Sequence, residues 1–228
     1  MALSYRAGSF QSAGGASTAS TAVNKPAGGA SGDVFVTAVY LETDTNTITT
    51  VPSGWTLLFA EANTAAFKLH TYAKLAGGSE PASYTWGFNV AGFNAVVTGA
   101  YSGGTGTGTL LDLANGAQAD AVITSAQTAP SITTTGADRM LVFAFGTFAG
   151  TTVTGTSGAA SNFRGQVAGT ALGDALRATA GATGTSAPTG TGTEDYAAIH
   201  AAIISDTGGG TPSPATTTRI IQTANRRR

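Results

Sequence analysis

Two histidines, twelve acids and no cysteine bound the chemistry open to this 228-residue chain. Without a thiol, a covalent nucleophile would be a Ser or Thr beside a base. The base would be His70 or His200. Gly29-Ala30-Ser31-Gly32-Asp33 and Gly155-Thr156-Ser157-Gly158-Ala159 come closest to a Gly-x-Ser-x-Gly elbow, but each breaks at its last position and neither lies near a histidine. Glycoside hydrolysis needs two facing carboxylates. Asp33, Glu42, Asp44, Glu80, Asp138 and Glu194 instead sit among turn residues, where turn chemistry accounts for them. Glu42-Thr43-Asp44-Thr45-Asn46 alternates oxygen ligands as a calcium loop begins, yet Thr47 stands where glycine is needed and Ser53 where a bidentate Glu belongs. Gly103-Gly104-Thr105-Gly106-Thr107-Gly108 lacks the Gly-Lys-Ser/Thr of a phosphate loop. The expectation is a protein that is not an enzyme, with no catalytic residue, no cofactor and no metal.

Binding residues are easier to name. Lys68, His70, Tyr72 and Lys74 alternate along one strand face, a basic and aromatic stripe suited to a sugar or to a neighbour's acidic edge. The same pattern also describes a solvated face whose lysines guard against edge pairing. Trp55 and Trp86 could be sugar platforms, but their apolar, alternating surroundings favour core packing. At the C-terminus, Arg219, Ile220 and Ile221 begin a short sticky segment, and Arg226, Arg227 and Arg228 end the chain. Such an arm could dock on a neighbouring subunit by strand addition or by charge, or could be a solvated tail.

These residues need strands to position them. Short apolar runs bounded by Gly, Pro, Ser and Thr recur throughout, the pattern of an all-β sandwich or barrel. Asp33-Val34-Phe35-Val36-Thr37-Ala38-Val39-Tyr40-Leu41 is apolar on both faces and reads as a central strand. Residues 67–74 alternate, with Phe67, Leu69, Thr71 and Ala73 opposite the basic stripe. Tyr84, Trp86 and Phe88 share one strand face. The second half repeats the outline. Met140-Leu141-Val142-Phe143-Ala144-Phe145 mirrors the Asp33 strand, residues 173–180 match the His70 strand, and residues 196–204 match the strand at 95–101. An internal duplication is one reading; the similarity of all sandwich strands is the other.

Charged residues make up 10% of the chain, against a usual figure of about 25%. The net charge of −1 argues against nucleic acid or an anionic membrane as partner. The first residues lack the basic-then-apolar order of a secretory signal, and no apolar run reaches membrane-spanning length. The expected organisation is an N-terminal arm or edge strand at 1–30, a sandwich domain at 31–206, and a Gly/Pro/Thr linker with a basic arm at 207–228. The expected fold is all-β, an antiparallel two-sheet sandwich of jelly-roll type with extended terminal arms.

Several phrases, in their order along the chain, carry a resemblance. They are Asn24-Lys25-Pro26-Ala27-Gly28, Ser31-Gly32-Asp33-Val34, Pro52-Ser53-Gly54-Trp55, Tyr72-Ala73-Lys74, Gly78-Ser79-Glu80-Pro81-Ala82-Ser83-Tyr84-Thr85-Trp86 and Ala100-Tyr101-Ser102-Gly103. Across roughly residues 20–205 the chain resembles β-sandwich structural proteins of tailed bacteriophages and prophages, of minor tail, fibre or head-decoration type. The resemblance implies a non-enzymatic protein on the virion exterior, made in the host bacterial cytoplasm. Its partners would be capsid or tail subunits and further copies of itself. The alternative it implies is a carbohydrate- or receptor-binding module of a tail fibre that meets a host surface glycan.

Overall fold

The computed structural model describes residues 2–43, 45–62, 67–103, 111–124, 127–147, 151–190 and 194–204. Every regular element among them is a strand. In chain order these are β1 (Ser4–Tyr5), β2 (Gln11–Asn24), β3 (Val34–Leu41), β4 (Ile48–Thr50), β5 (Thr56–Ala62), β6 (Lys68–Leu75), β7 (Ser83–Ser102), β8 (Leu111–Thr124), β9 (Thr133–Thr134), β10 (Arg139–Thr147), β11 (Gly155–Gly158), β12 (Asn162–Val167), β13 (Thr170–Arg177), β14 (Gly181–Ala182), β15 (Ser186–Thr189) and β16 (Glu194–Ile203). The Ala-rich run in β16 has helix propensity, yet it lies between two partner strands that fix it as extended chain.

Pairing is antiparallel throughout and falls into two large sheets. The first has the order β5-β6-β3-β7, with β1, β2 and β4 also on β7; the second is β12-β13-β10-β16-β8. Each sheet is thus drawn from one contiguous half of the chain. The two halves follow one plan. The first row with all three inner strands paired is Val34 with Leu75 and Tyr101 in one sheet. In the other it is Met140 with Leu176 and Ile203. With those rows matched, the bulge of β5 between Leu57 and Phe59, opposite Tyr72 and Thr71, falls where β12 bulges between Phe163 and Gly165, opposite Gly173 and Leu172. Strand order, register and bulge position all repeat.

The inward faces correspond as well. Val34, Val36, Ala38 and Tyr40 of β3 share one buried cluster with Met140, Val142 and Ala144 of β10, with Leu69 and Ala73 of β6, and with Ala197, Ile199 and Ile203 of β16. Outward-facing residues of both central strands are buried too, because each sheet carries a cover. Over the first sheet, β7 curls back on itself. Its Tyr84, Trp86 and Phe88 pack on Phe35, Val39, Leu41 and Val96, with Val23 of β2 joining them. Over the second, Leu141, Phe143, Phe145 and Tyr196 meet Ala129, Ile132, Val153 and Ala160 from the segments around β9, β11 and β15. This explains why β3 and β10 are apolar on both faces.

The curl lies at two register breaks between β2 and β7: at the first Gly15 is an extra residue of β2, and at the second residues 88–91 of β7 stand against Ala19 alone. Gly14 has a φ of 137°, and a Cβ there would collide with the Asn94 carbonyl. Within residues 8–30, expected as a loose arm or an edge strand, Gln11–Asn24 form β2, bonded to β7 over most of its length.

Trp86 is fully buried beneath this curl, so Trp86→Ala should cost about 3–5 kcal/mol in urea unfolding. Val90 is 46% exposed at the bend, and Val90→Thr should stay within about 0.5 kcal/mol of the parent in the same assay.

Candidate functional site

The basic stripe of β6 does not face water freely. Tyr72 is 6% exposed and packs on Trp86, ring centroids 4.8 Å apart. His70 stacks on Tyr72, and its Nδ1 is buried without a hydrogen-bond partner. Lys68 donates to the Asn46 carbonyl at 3.0 Å. Lys74 donates to the Ser53 carbonyl at 2.9 Å, pairs with Glu80 at 3.0 Å and sits over the Tyr84 ring. Burial works to raise the Glu80 carboxyl, but bonds from Tyr84, the Gly77 amide and Lys74 outweigh it and hold Glu80 below its usual range. Lys68, Tyr72 and Lys74 are therefore engaged by loops and by the curled ribbon, while His70 rests on Tyr72 of its own strand. Both tryptophans are buried in that same cluster.

The acidic loop at 42–46 is likewise built into the frame. Glu42 accepts from the Phe93 amide, Thr43 Oγ1 accepts from the Asn46 amide, and the buried Asn46 donates to Asn94 Oδ1. Asp44 lies outside the described residues, and among the described residues no group of three or more acids and histidines is placed to hold a metal ion. Arg219, Ile220, Ile221, Arg226, Arg227 and Arg228 also lie outside the described residues.

A different cluster stands out, one that spans both sheets. Asp174 of β13 is wholly buried. Its Oδ2 accepts from Tyr101 Oη of β7 at 2.9 Å and from Arg164 Nε of β12 at 2.7 Å. Its Oδ1 accepts from an Arg164 Nη at 2.6 Å and from Asn162 Nδ2 at 3.4 Å. The guanidinium lies 3.9 Å from the centroid of the Tyr5 ring, and Tyr5 meets Tyr101 edge-on. Tyr5 Oη in turn accepts from the Phe10 amide. Burial pushes the Tyr101 phenol well above its ordinary value, and the Asp174 carboxylate adds to the effect. The hydroxyl therefore stays a donor, and the carboxylate has no lone pair left to take a proton from a substrate.

This cluster forms one wall of a surface depression of about 410 Å³. Leu3, Met140 and Leu176 make its apolar side, and Tyr5, Asn162 and Arg164 its polar side. The N-terminal segment closes it. Leu3 is buried in the shared core, and Arg6 makes a two-point ion pair with Asp33, which also caps the Ala30 amide. Sequence reasoning missed the site because Arg164, Asp174, Tyr101 and Tyr5 are scattered along the chain. The one local signal was an Asp in the middle of an otherwise apolar strand, Ala171-Leu172-Gly173-Asp174-Ala175-Leu176.

Arg164→Ala would leave Asp174 buried and charged without its partner. It should cost about 3–5 kcal/mol, read as a fall in the urea midpoint.

The two histidines are neutral at pH 7. Burial lowers His70 to about 4, with the Lys68 charge adding to it. Burial likewise lowers His200 to about 4, although its Nδ1–H donates to the Pro130 carbonyl at 2.8 Å. The unfolded chain takes up protons near the ordinary value of 6.5, and the folded chain does not until about 4. Stability therefore falls as pH drops through this window, by roughly 3 kcal/mol per histidine at its lower end. Urea titrations at several pH values should show that slope, and replacing both histidines with Gln should flatten it. Neither family models, nor curated proteins, nor solved structures match this chain, so its own residues carry the functional reading.

Proposed function

We propose that this chain is a non-enzymatic structural protein of a tailed-phage virion, exposed on the particle as a head-decoration or minor tail protein. The observation that carries the reading is where the charged side chains go. Arg6–Asp33, Lys74–Glu80–Tyr84 and Arg164–Asp174–Tyr101 each tie one segment of the chain to another. Groups that could do chemistry are committed to rigidity. The phrases behind the phage resemblance act in the same way. Lys25-Pro26-Ala27-Gly28 turns β2 toward β3, Pro52-Ser53-Gly54 turns the chain before Trp55, and Glu80 accepts from the Gly77 amide and from Tyr84 to set the turn before β7.

In architecture we read the two sheets as a sandwich around one shared core. Its order departs from a jelly roll, whose two Greek keys interleave strands between sheets, because each sheet here uses one half of the chain. Among the described residues no helix is long and apolar enough to cross a membrane. Capsid or tail subunits and further copies of the chain are the partners this reading implies, with the Arg219 to Arg228 segment as the arm that would dock on them.

The second reading, a carbohydrate- or receptor-binding module, draws on the depression beside Arg164, since the β6 stripe is covered. Gradient-purified particles from a culture that encodes the chain discriminate the readings. Peptides of this protein, with matching density on the head lattice, are the expected result. Density confined to fibre tips would favour receptor binding, and absence from particles would sink the virion reading.

A further inference from the structure

The duplicated lattice supplies an internal control for the polar cluster. The bulge residue of β12 is Arg164, and its counterpart in β5 is Leu58. The β13 position of Asp174 is filled in β6 by Ala73, and the β7 position of Tyr101 is filled in β16 by Ile203. Leu58, Ala73 and Ile203 are all buried in the shared core. One end of the molecule thus closes with three apolar side chains where the other uses a carboxylate, a guanidinium and a phenol. A buried ion pair rarely exceeds well-packed apolar groups in stability. Net stability alone therefore gives no reason for the polar end, and the depression lies beside it.

The chemistry of the depression selects its occupant. Arg164 and Asp174 cancel, so neither a cation nor an anion gains from entering. Both Asp174 oxygens are filled by four donors. Arg164 is 22% exposed and keeps three N–H groups beyond the two given to Asp174. Asn162 adds an exposed amide. The polar wall thus offers mainly donors to a neutral, oxygen-rich ligand. Leu176, 46% exposed, offers the main apolar surface of the same depression. A volume of about 410 Å³ falls within the roughly 300–1,000 Å³ of small-molecule sites. We propose that this depression binds one unit of a neutral saccharide, its hydroxyls on Arg164 and Asn162 and its C–H face on Leu176. The proposal does not depend on the virion reading, and either can fail alone.

The test is titration of the full chain with the methyl glycosides of glucose, galactose, mannose and N-acetylglucosamine, followed by amide NMR. At least one should bind with millimolar affinity and shift the amides of Tyr5, Asn162, Arg164 and Leu176. Asn162→Ala should weaken it by about tenfold. The triple variant Arg164→Leu, Asp174→Ala, Tyr101→Phe copies the apolar end while keeping the ring on Tyr5. It should stay folded with its melting temperature little changed and lose binding. The proposal is overturned if no glycoside moves those amides at tens of millimolar, or if shifts persist unaltered in both variants. An acetylated tripeptide that binds in preference to all four sugars overturns it too. Unfolding of the triple variant would show that the cluster is there for stability, and that result also overturns the proposal.

Discussion

The side-chain layer between β3 and β10 is the constraint on which the rest of the molecule depends. Val34, Val36, Ala38 and Tyr40 face Met140, Val142 and Ala144 across it, and the flanking strands of both sheets add to the same cluster. Removing such surface from water supplies roughly 25 cal/mol per Å², and the other apolar clusters form on top of this layer. Because strand residues alternate, committing even-numbered residues of β3 to it sends Phe35, Val39 and Leu41 to the opposite face. Those outward residues then need a cover of their own. The curl of β7 and the small ribbons over the second sheet are consequences of that need.

The covers carry their own requirement, since a strand that folds back over its own sheet must bend sharply. A bulge in β2, the extra residues of β7 between Gly87 and Gly92, and the positive φ of Gly14 supply the bend. Polar side chains then pin the ends. Lys74 and Glu80 hold the turn into β7 against Tyr84, and Arg6 holds the N-terminal segment to the turn before β3. Such ion pairs are worth little beside burial, so they choose among packings whose main stability comes from the apolar layers.

The two sheets also protect each other's edges. β5 lies beside β8 and β16, while β12 lies beside β2 and β7. A free edge is a template for unwanted pairing, and a chain with so few charges has little else to guard it. The arrangement follows from the repeat. With two sheets of one plan sharing a buried cluster, the edge strand of each lies near the opposite edge of its mate. The near-symmetry is broken at Tyr101, Arg164 and Asp174, where three polar groups replace the apolar closure of the other end.

Much of the frame was legible in the sequence because period-two alternation and turn residues are local signals. They located the central strands, the alternation of β6 and the burial of both tryptophans, and they left the similarity of the halves open until the paired registers displayed it in detail. The Lys68, His70, Tyr72 and Lys74 stripe shows where local reading ends. Alternation tells which residues share a face, but not whether a ribbon from elsewhere lies over it. Likewise, nothing near Asp174 in the chain announces Tyr101 or Tyr5 as its neighbours. The sequence by itself determined strand content, the apolar layers and the poverty of charge, since these depend on residue type and spacing. Tertiary structure alone decided which faces are covered and which polar groups meet, because both depend on contacts between segments far apart along the chain.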